Sequence, residues 1–315
     1  MVFQSRIGLA LGGGGARGIA HLGVLQHFHQ INLKIDAIAG TSAGAIVGAL
    51  YAFGTPLRDI EEDLRNLKPT NFSSLRLPKL GLFKNEQLRV LLEKRLPRNA
   101  QIQDAPIPLE IKATDIETVE GILMTRGNLI EAVMASSCVP GIYIPVEING
   151  RLLVDGGLTE NVPLSALKKL GANIQIGVNL NGNKRYNKPD SLLDILSNSL
   201  DIAIDNQTRS QLNLADLVIS MDLSRYGRFH LEAFDDLVFE GRKSAREAIR
   251  TARWLGWRHR FRQIWAHLSD ISPIKIPERI KKILQQKELI PRWVEHFISP
   301  SSEIERHERA EKSHE

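Results

Sequence analysis

The sequence holds 315 residues, 43% hydrophobic and 24% charged, with a formal net charge of +5. That apolar content suffices for one sizeable core plus an extension, and so mild a positive balance argues against a nucleic-acid binder. A single cysteine, Cys138, excludes an internal disulfide, and its expected role is that of a small buried hydrophobe.

The first residues run directly into an apolar strand without a signal-peptide core. The longest apolar stretch, near residues 43–53, is too short to span a bilayer. A cytoplasmic protein is expected, either soluble or peripheral to a membrane. Ile7 to Leu11 is a continuous apolar run, as in a buried parallel strand. Four glycines follow, Gly12 to Gly15, then Ala16, Arg17 and Gly18, and Ile19, Leu22, Leu25 and Phe28 recur at helical spacing. Strand, glycine loop and helix N-terminus together make a cradle of bare N–H groups for an anion. Gly13, Gly15 and Gly18 fit the spacing of a dinucleotide loop, but the second strand lacks the acidic residue at its end. A phosphate loop would need Gly-Lys-Ser/Thr, and Gly18 is followed by Ile19. An oxyanion hole is the remaining functional reading.

The next apolar run, Ile35 to Ala39, leads into Gly40-Thr41-Ser42-Ala43-Gly44 and a second helix. Glycines at both ends allow a sharp turn that lifts the Ser42 hydroxyl to the start of a helix, where a nucleophile is useful. A plain glycine turn fits this pentapeptide as well. Helices are expected over 57–67 and 85–96, with a loop over 69–83 of a length that suits a lid, a binding edge or a plain surface excursion. Strands are expected over 109–114 and 121–125, a helix over 128–135 and a strand over 143–148. Asn149-Gly150 marks a hairpin, and Arg151 to Val154 returns as a strand ending in Asp155-Gly156-Gly157. That ending carries a carboxylate on a loop, although an ordinary Asp-Gly turn reads the same way. Pro163 opens a short helix, and strands over 174–180 and 217–221 flank a long helix over 191–214.

These motifs in this order resemble the patatin-like phospholipase family, especially its bacterial members related to neuropathy target esterase. The stretch Ala135-Ser136-Ser137-Cys138-Val139-Pro140-Gly141-Ile142-Tyr143-Ile144-Pro145 resembles a fourth block of that family. The likeness spans residues 7–180. It implies a three-layer α/β/α fold with a mostly parallel central sheet and no cofactor. It implies a Ser–Asp dyad, with Ser42 as nucleophile and Asp155 as partner acid. Gly13, Gly14 and Gly15 fall on the oxyanion loop, with Arg17 on the basic position beside it. Gly18, Gly40, Gly44, Gly156 and Gly157 support these loops. The chain has Asp-Gly-Gly where many relatives have Asp-Gly-Ala.

The rival enzyme is an ordinary α/β-hydrolase with a late histidine, for which His230, His259 and His267 are available. Only one strand precedes that of Ser42, which argues against it. His21 is expected to pack or cap, His27 and His29 point apart on one helix, and no metal constellation is visible. From Leu237 the chain reads as helical and basic. Arg242, Lys243, Arg246, Arg250, Arg253, Arg258, Arg260 and Arg262 stand beside a stripe of Trp254, Trp257, Phe261, Ile264 and Leu268. The stripe suits either docking on the domain or, over 242–268, contact with an anionic membrane. Two short helices are expected around Pro291. The resulting division is an acyl hydrolase domain over 1–225, a helical extension over 226–298 and a polar tail over 299–315. The expected substrate is a phospholipid or lysophospholipid; a lipid-binding or regulatory protein without turnover is the alternative.

Overall fold

The computed structural model describes residues 6–67, 85–182, 188–189, 192–227 and 232–254. The expected loop over 69–83, the stripe from Trp257 to Leu268, the helices around Pro291 and the tail from Ser299 lie outside these residues. In chain order the strands are β1 (Ile7–Leu11), β2 (Ala37–Thr41), β3 (Leu109–Asp115), β4 (Gly121–Met124), β5 (Val146–Ile148), β6 (Arg151–Asp155), β7 (Ile174–Asn179) and β8 (Leu217–Ser220). The helices are α1 (Ala20–Gln30), α2 (Ala43–Ala52), α3 (Leu57–Arg65), α4 (Glu86–Arg95), α5 (Leu129–Ser136), α6 (Leu164–Lys169), α7 (Leu192–Gln211) and α8 (Phe234–Trp254).

The strands form one mixed sheet in the order β5-β6-β3-β2-β1-β7-β8, with β4 also paired to β3. β3, β2, β1, β7 and β8 run parallel to one another, as the continuous apolar runs of β1 and β2 require. Leu9, Leu11, Ile38 and Ile111 enter the larger core, shared with Leu22, Leu25 and Phe28 of α1. Ala10 and Ala39 face the opposite way, into a smaller core with Val162, Leu164, Ala166 and Leu167. Their small side chains let α6 sit close to the sheet. The result is the expected three layers, with α1 on one side and α6 on the other.

The β5–β6 hairpin turns at Asn149 and Gly150, with φ of 53° and 73°. Positive φ at both central residues is the signature of the hairpin turn that Asn-Gly favours. The strand expected over 143–148 is shorter, Val146–Ile148, because Pro145 has no N–H to donate. α8 begins at Phe234, three residues before the expected start. It docks on α1 through Leu237, Val238 and Ala245, ahead of the stripe singled out in the sequence. Gly23 and Gly241 let the two helix backbones meet: a Cβ on either would stand 2.0 Å from a carbonyl oxygen of the other helix. Arg242, Arg246 and Arg250 stay on its exposed side. Among the described residues no helix is long and apolar enough to cross a membrane, and no cluster of three His, Cys, Asp or Glu could hold a metal ion.

Candidate active site

Ser42 stands at the turn between β2 and α2 with φ 53° and ψ −120°, a conformation that L side chains rarely adopt. Such strain persists only where the surroundings impose it. Here the start of α2 is pressed against the end of β1. A Cβ on Gly44 would lie 2.0 Å from the Leu11 oxygen, and one on Gly40 2.6 Å from the Ala45 Cα. Gly18 gives the same clearance to Ala43. The Ser42 N–H donates to Ser136 Oγ at 2.9 Å, and Ser136 Oγ donates in turn to the Lys112 oxygen at 2.5 Å. The fourth sequence block thus fixes the turn from below. We expect Gly44→Ala to cost about 3 kcal/mol, the upper end for overpacking, and to lower esterase activity with it. Urea denaturation and an ester assay would measure the two together.

Asp155 is brought to Ser42 by strand register. β4 covers one edge of β3 from Ile111 to Thr114. Lys112 pairs with Thr41 of β2 on its other side, and Ala113 pairs with Asp155 of β6. Each residue of a strand has only two edges, so β2 and β6 share the second edge of β3, end to end. The last residue of β2 and the last of β6 occupy consecutive positions along it. Beyond them the chain leaves on opposite faces, into α2 after Ser42 and towards α6 after Asp155. The departure after Asp155 grazes β3: a Cβ on Gly156 would stand 2.3 Å from the Lys112 oxygen. The Asp155 N–H donates to the Cys138 oxygen at 2.8 Å, and Asp155 Oδ1 accepts from the Gly157 N–H at 2.8 Å. Both Ser42 and Asp155 are buried. Burial, and then the Asp155 charge, push the Cys138 thiol up to about 12, so it remains protonated and inert.

The glycine loop faces this pair. A Cβ on Gly13 would lie 3.1 Å from that of Ser42. The Gly13 N–H is already donated to Asn161, to its carbonyl at 3.3 Å and its Oδ1 at 3.1 Å. The amides of Gly14 and Gly15, which open the turn Gly15–Ile19, have no acceptor among the described residues. Arg17 is buried and turned away from Ser42: Nε donates to the Tyr226 oxygen at 2.8 Å, and Nη1 to Asn181 Oδ1 at 2.9 Å, with Asp201 at 3.8 Å. It therefore holds the loop rather than reaching for a ligand.

Asn161 is the residue that the sequence reading missed. Its Oδ1 accepts from the glycine loop and packs near Gly157, while its buried Nδ2 has no partner among the described residues. The only local signal is its place just before Pro163, after the Asp-Gly-Gly turn. Beneath it the loop is stitched to the sheet. Thr41 Oγ1 donates to the Glu160 oxygen at 3.1 Å, and the Glu160 carboxylate meets Lys112 Nζ at 3.2 Å.

His21 closes the base of the loop, its Nε2–H donating to the Gly12 oxygen at 2.7 Å. Burial pushes its pKa down from 6.5 to about 4, against the Gly12 bond, which raises it. The unfolded chain therefore takes up a proton that the folded one refuses. Stability is complete above pH 6.5 and lost as pH falls towards 4, by about 3 kcal/mol at most. The urea midpoint should drop between about pH 7 and 4, and His21→Gln should flatten the drop. An unchanged drop in that variant would assign it to other groups.

A family model described as patatin-like phospholipase matches residues 9–168, just over half of the chain, including Ser42, Asp155 and the glycine loop. The chain belongs to the patatin-like phospholipase family. An NTE family protein of Mycobacterium tuberculosis is 35% identical over 182 residues, covering 57% of this chain and 50% of that protein. A second from the same organism is 28% identical over 270 residues, covering 77% and 46%. Lysophospholipase NTE1 of Cryptococcus neoformans is 34% identical over 172 residues, covering 53% and 10%. The chain thus spans half or less of the length of these curated relatives. The crystal structure of VipD from Legionella pneumophila aligns with a TM-score of 0.49 at 15% identity, over 79% of this chain and 67% of that one. In this member of the family the late histidines of the rival triad, His230, His259 and His267, lie outside the described residues.

Proposed function

We propose that this chain hydrolyses the acyl ester of a phospholipid or lysophospholipid, with Ser42 as nucleophile and Asp155 as its base. The observation that carries the reading is the meeting of β2 and β6 on one edge of β3, beside two uncommitted amides. Ser42 Oγ attacks the ester carbonyl carbon as its proton passes to Asp155. The carbonyl oxygen becomes an oxyanion, held by the Gly14 and Gly15 N–H groups, while Asn161 keeps the loop in place through Gly13. Collapse breaks the ester bond; the leaving alcohol takes the proton from Asp155, and the acyl group stays on Ser42. Asp155 then removes a proton from water, the hydroxide attacks the acyl carbon, and the fatty acid departs as Ser42 regains its proton.

A carboxylate is a weak base at neutral pH, so the oxyanion donors must supply much of the rate. One such donor is worth roughly 100- to 1000-fold. A cleft of about 230 Å³ is lined by Met134, Cys138, Tyr143 and Ile144 together with Glu86, Arg89 and Glu131, and Cys138 is the lining residue whose carbonyl accepts the Asp155 N–H. Two assays test the reading. A fluorophosphonate should phosphonylate Ser42 Oγ with loss of fluoride. Defined phospholipids and lysophospholipids should release fatty acid. A chain that neither labels at Ser42 nor releases fatty acid would be a binding protein on the same fold.

A further inference from the structure

We propose that the outward face of α7 is the surface by which this protein docks on an anionic lipid layer. The inward face of the helix carries Asp201, Asp205 and Thr208 beside Ile204, all buried. Asp201 faces Arg17, and Asp205 Oδ1 accepts from Asn181 Nδ2 at 3.0 Å. Its outward face carries Ile195, Leu196 and Ile202, which are 51%, 52% and 49% exposed. These three share one side of the helix, two turns long, together with Ser199. The Ser199 hydroxyl is turned back onto the Ile195 oxygen at 2.7 Å, so it presents little polarity. A helix that only packed on its own domain would bury the aliphatic side chains and expose the carboxylates.

Charge selects the partner. Both carboxylates of α7 whose side chains are described point inward. Arg209, seven residues past Ile202 and so on the same side of α7, is exposed, as are Lys188 ahead of the helix and Lys168 and Lys169 on α6. Aliphatic side chains in line with an exposed arginine, and with no described carboxylate among them, fit an anionic lipid layer. An isologous pairing of two copies would instead bring the cations of this face together. This face is also distinct from the basic side of α8, which packs on α1 in the other layer.

The inner side of α7 touches the loops that hold Ser42 and Asp155. Arg17 links it to the glycine loop, the Ile204 methyl lies against Gly157, and Gln211 Nε2 donates to the Thr159 oxygen at 2.9 Å. A layer docked on the outer side would be separated from the loops of the proposed ester-hydrolysing site by the thickness of α7, about 10 Å. The purpose of the docking rests on the proposed lipid hydrolysis, but the docking itself does not.

The test uses the full chain with vesicles of phosphatidylcholine, with and without phosphatidylglycerol, read by flotation. Wild type should float with the anionic vesicles and release from them as salt rises. The combined Ile195→Ser, Leu196→Ser and Ile202→Ser variant should float about tenfold less or worse. Its hydrolysis of a short water-soluble ester should stay within about twofold, as for other surface changes. Leu196→Glu alone, which adds a carboxylate to the face, should act in the same direction and serves if the triple variant does not fold. Equal flotation of wild type and variants would overturn the proposal. So would a parallel loss of soluble-ester hydrolysis, or a wild-type dimer that the substitutions split without changing flotation. Flotation that responds to the substitutions in a chain that hydrolyses no ester would sink the enzymatic reading and leave the docking face standing.

Discussion

Ser42→Ala should reduce ester hydrolysis by about a thousandfold or more, since it removes the proposed nucleophile. The fold should survive, because the Ser42 side chain is not what holds the turn. Its backbone N–H is held by Ser136, and the turn is set by the contacts at Gly40 and Gly44. The strain at φ 53° remains in the alanine variant. Ser42→Gly removes it and should be equally inactive but more stable than Ser42→Ala by about 1 kcal/mol, after allowing for the entropy of glycine. Initial rates on a lysophospholipid and urea midpoints for the two variants measure both effects. More than a tenth of wild-type activity in Ser42→Ala would remove Ser42 from the chemistry.

Asp155→Asn should lose about as much activity with even less structural change. The amide is isosteric, and its oxygen can still accept the Gly157 N–H that the carboxylate accepts now. The strand pairing of β6 and the bond from the Asp155 N–H to Cys138 involve the main chain alone. What the amide cannot do is take the Ser42 proton. The expected result is a fall in kcat of about a thousandfold or more at an unchanged melting temperature, with slow fluorophosphonate labelling of Ser42. If Asp155→Asn keeps most of its turnover, the proton goes elsewhere and the dyad is wrong.

Elements with a local cause were legible in the sequence. Asn149-Gly150 specifies its turn through backbone angles alone, and the apolar runs of β1 and β2 specify strands buried on both faces. The turn at Ser42 was legible for the same reason, since glycines at 40 and 44 admit one kind of packing. Strand neighbours were not legible. The residue pattern of β3 says which side chains face each core, but not that Lys112 pairs with Thr41 while Ala113 pairs with Asp155. The glycine loop divides in the same way. Four glycines in a row announce bare amides, yet which amide is already committed depends on Asn161, far along the chain. For α7 the helix itself was expected, but its orientation is set by Arg17 and Asn181, whose positions only the tertiary fold defines. The aromatic stripe from Trp257 lies outside the described residues, while α8 docks through Leu237, Gly241 and Ala245, small or ordinary residues with no distinctive signature.

The sharing of one β3 edge by β2 and β6 leaves the chain without slack at one place. Ser42 and Asp155 meet only while β6 stays in its present register, and a slip of one residue would turn the carboxylate to the opposite face of the sheet. Length changes in the β5–β6 hairpin are therefore tolerable at its exposed tip, at Asn149 and Gly150, or in steps of two along the strands. A single residue added or deleted between Arg151 and Asp155 would leave the domain folded with the Asp155 carboxylate turned away from Ser42.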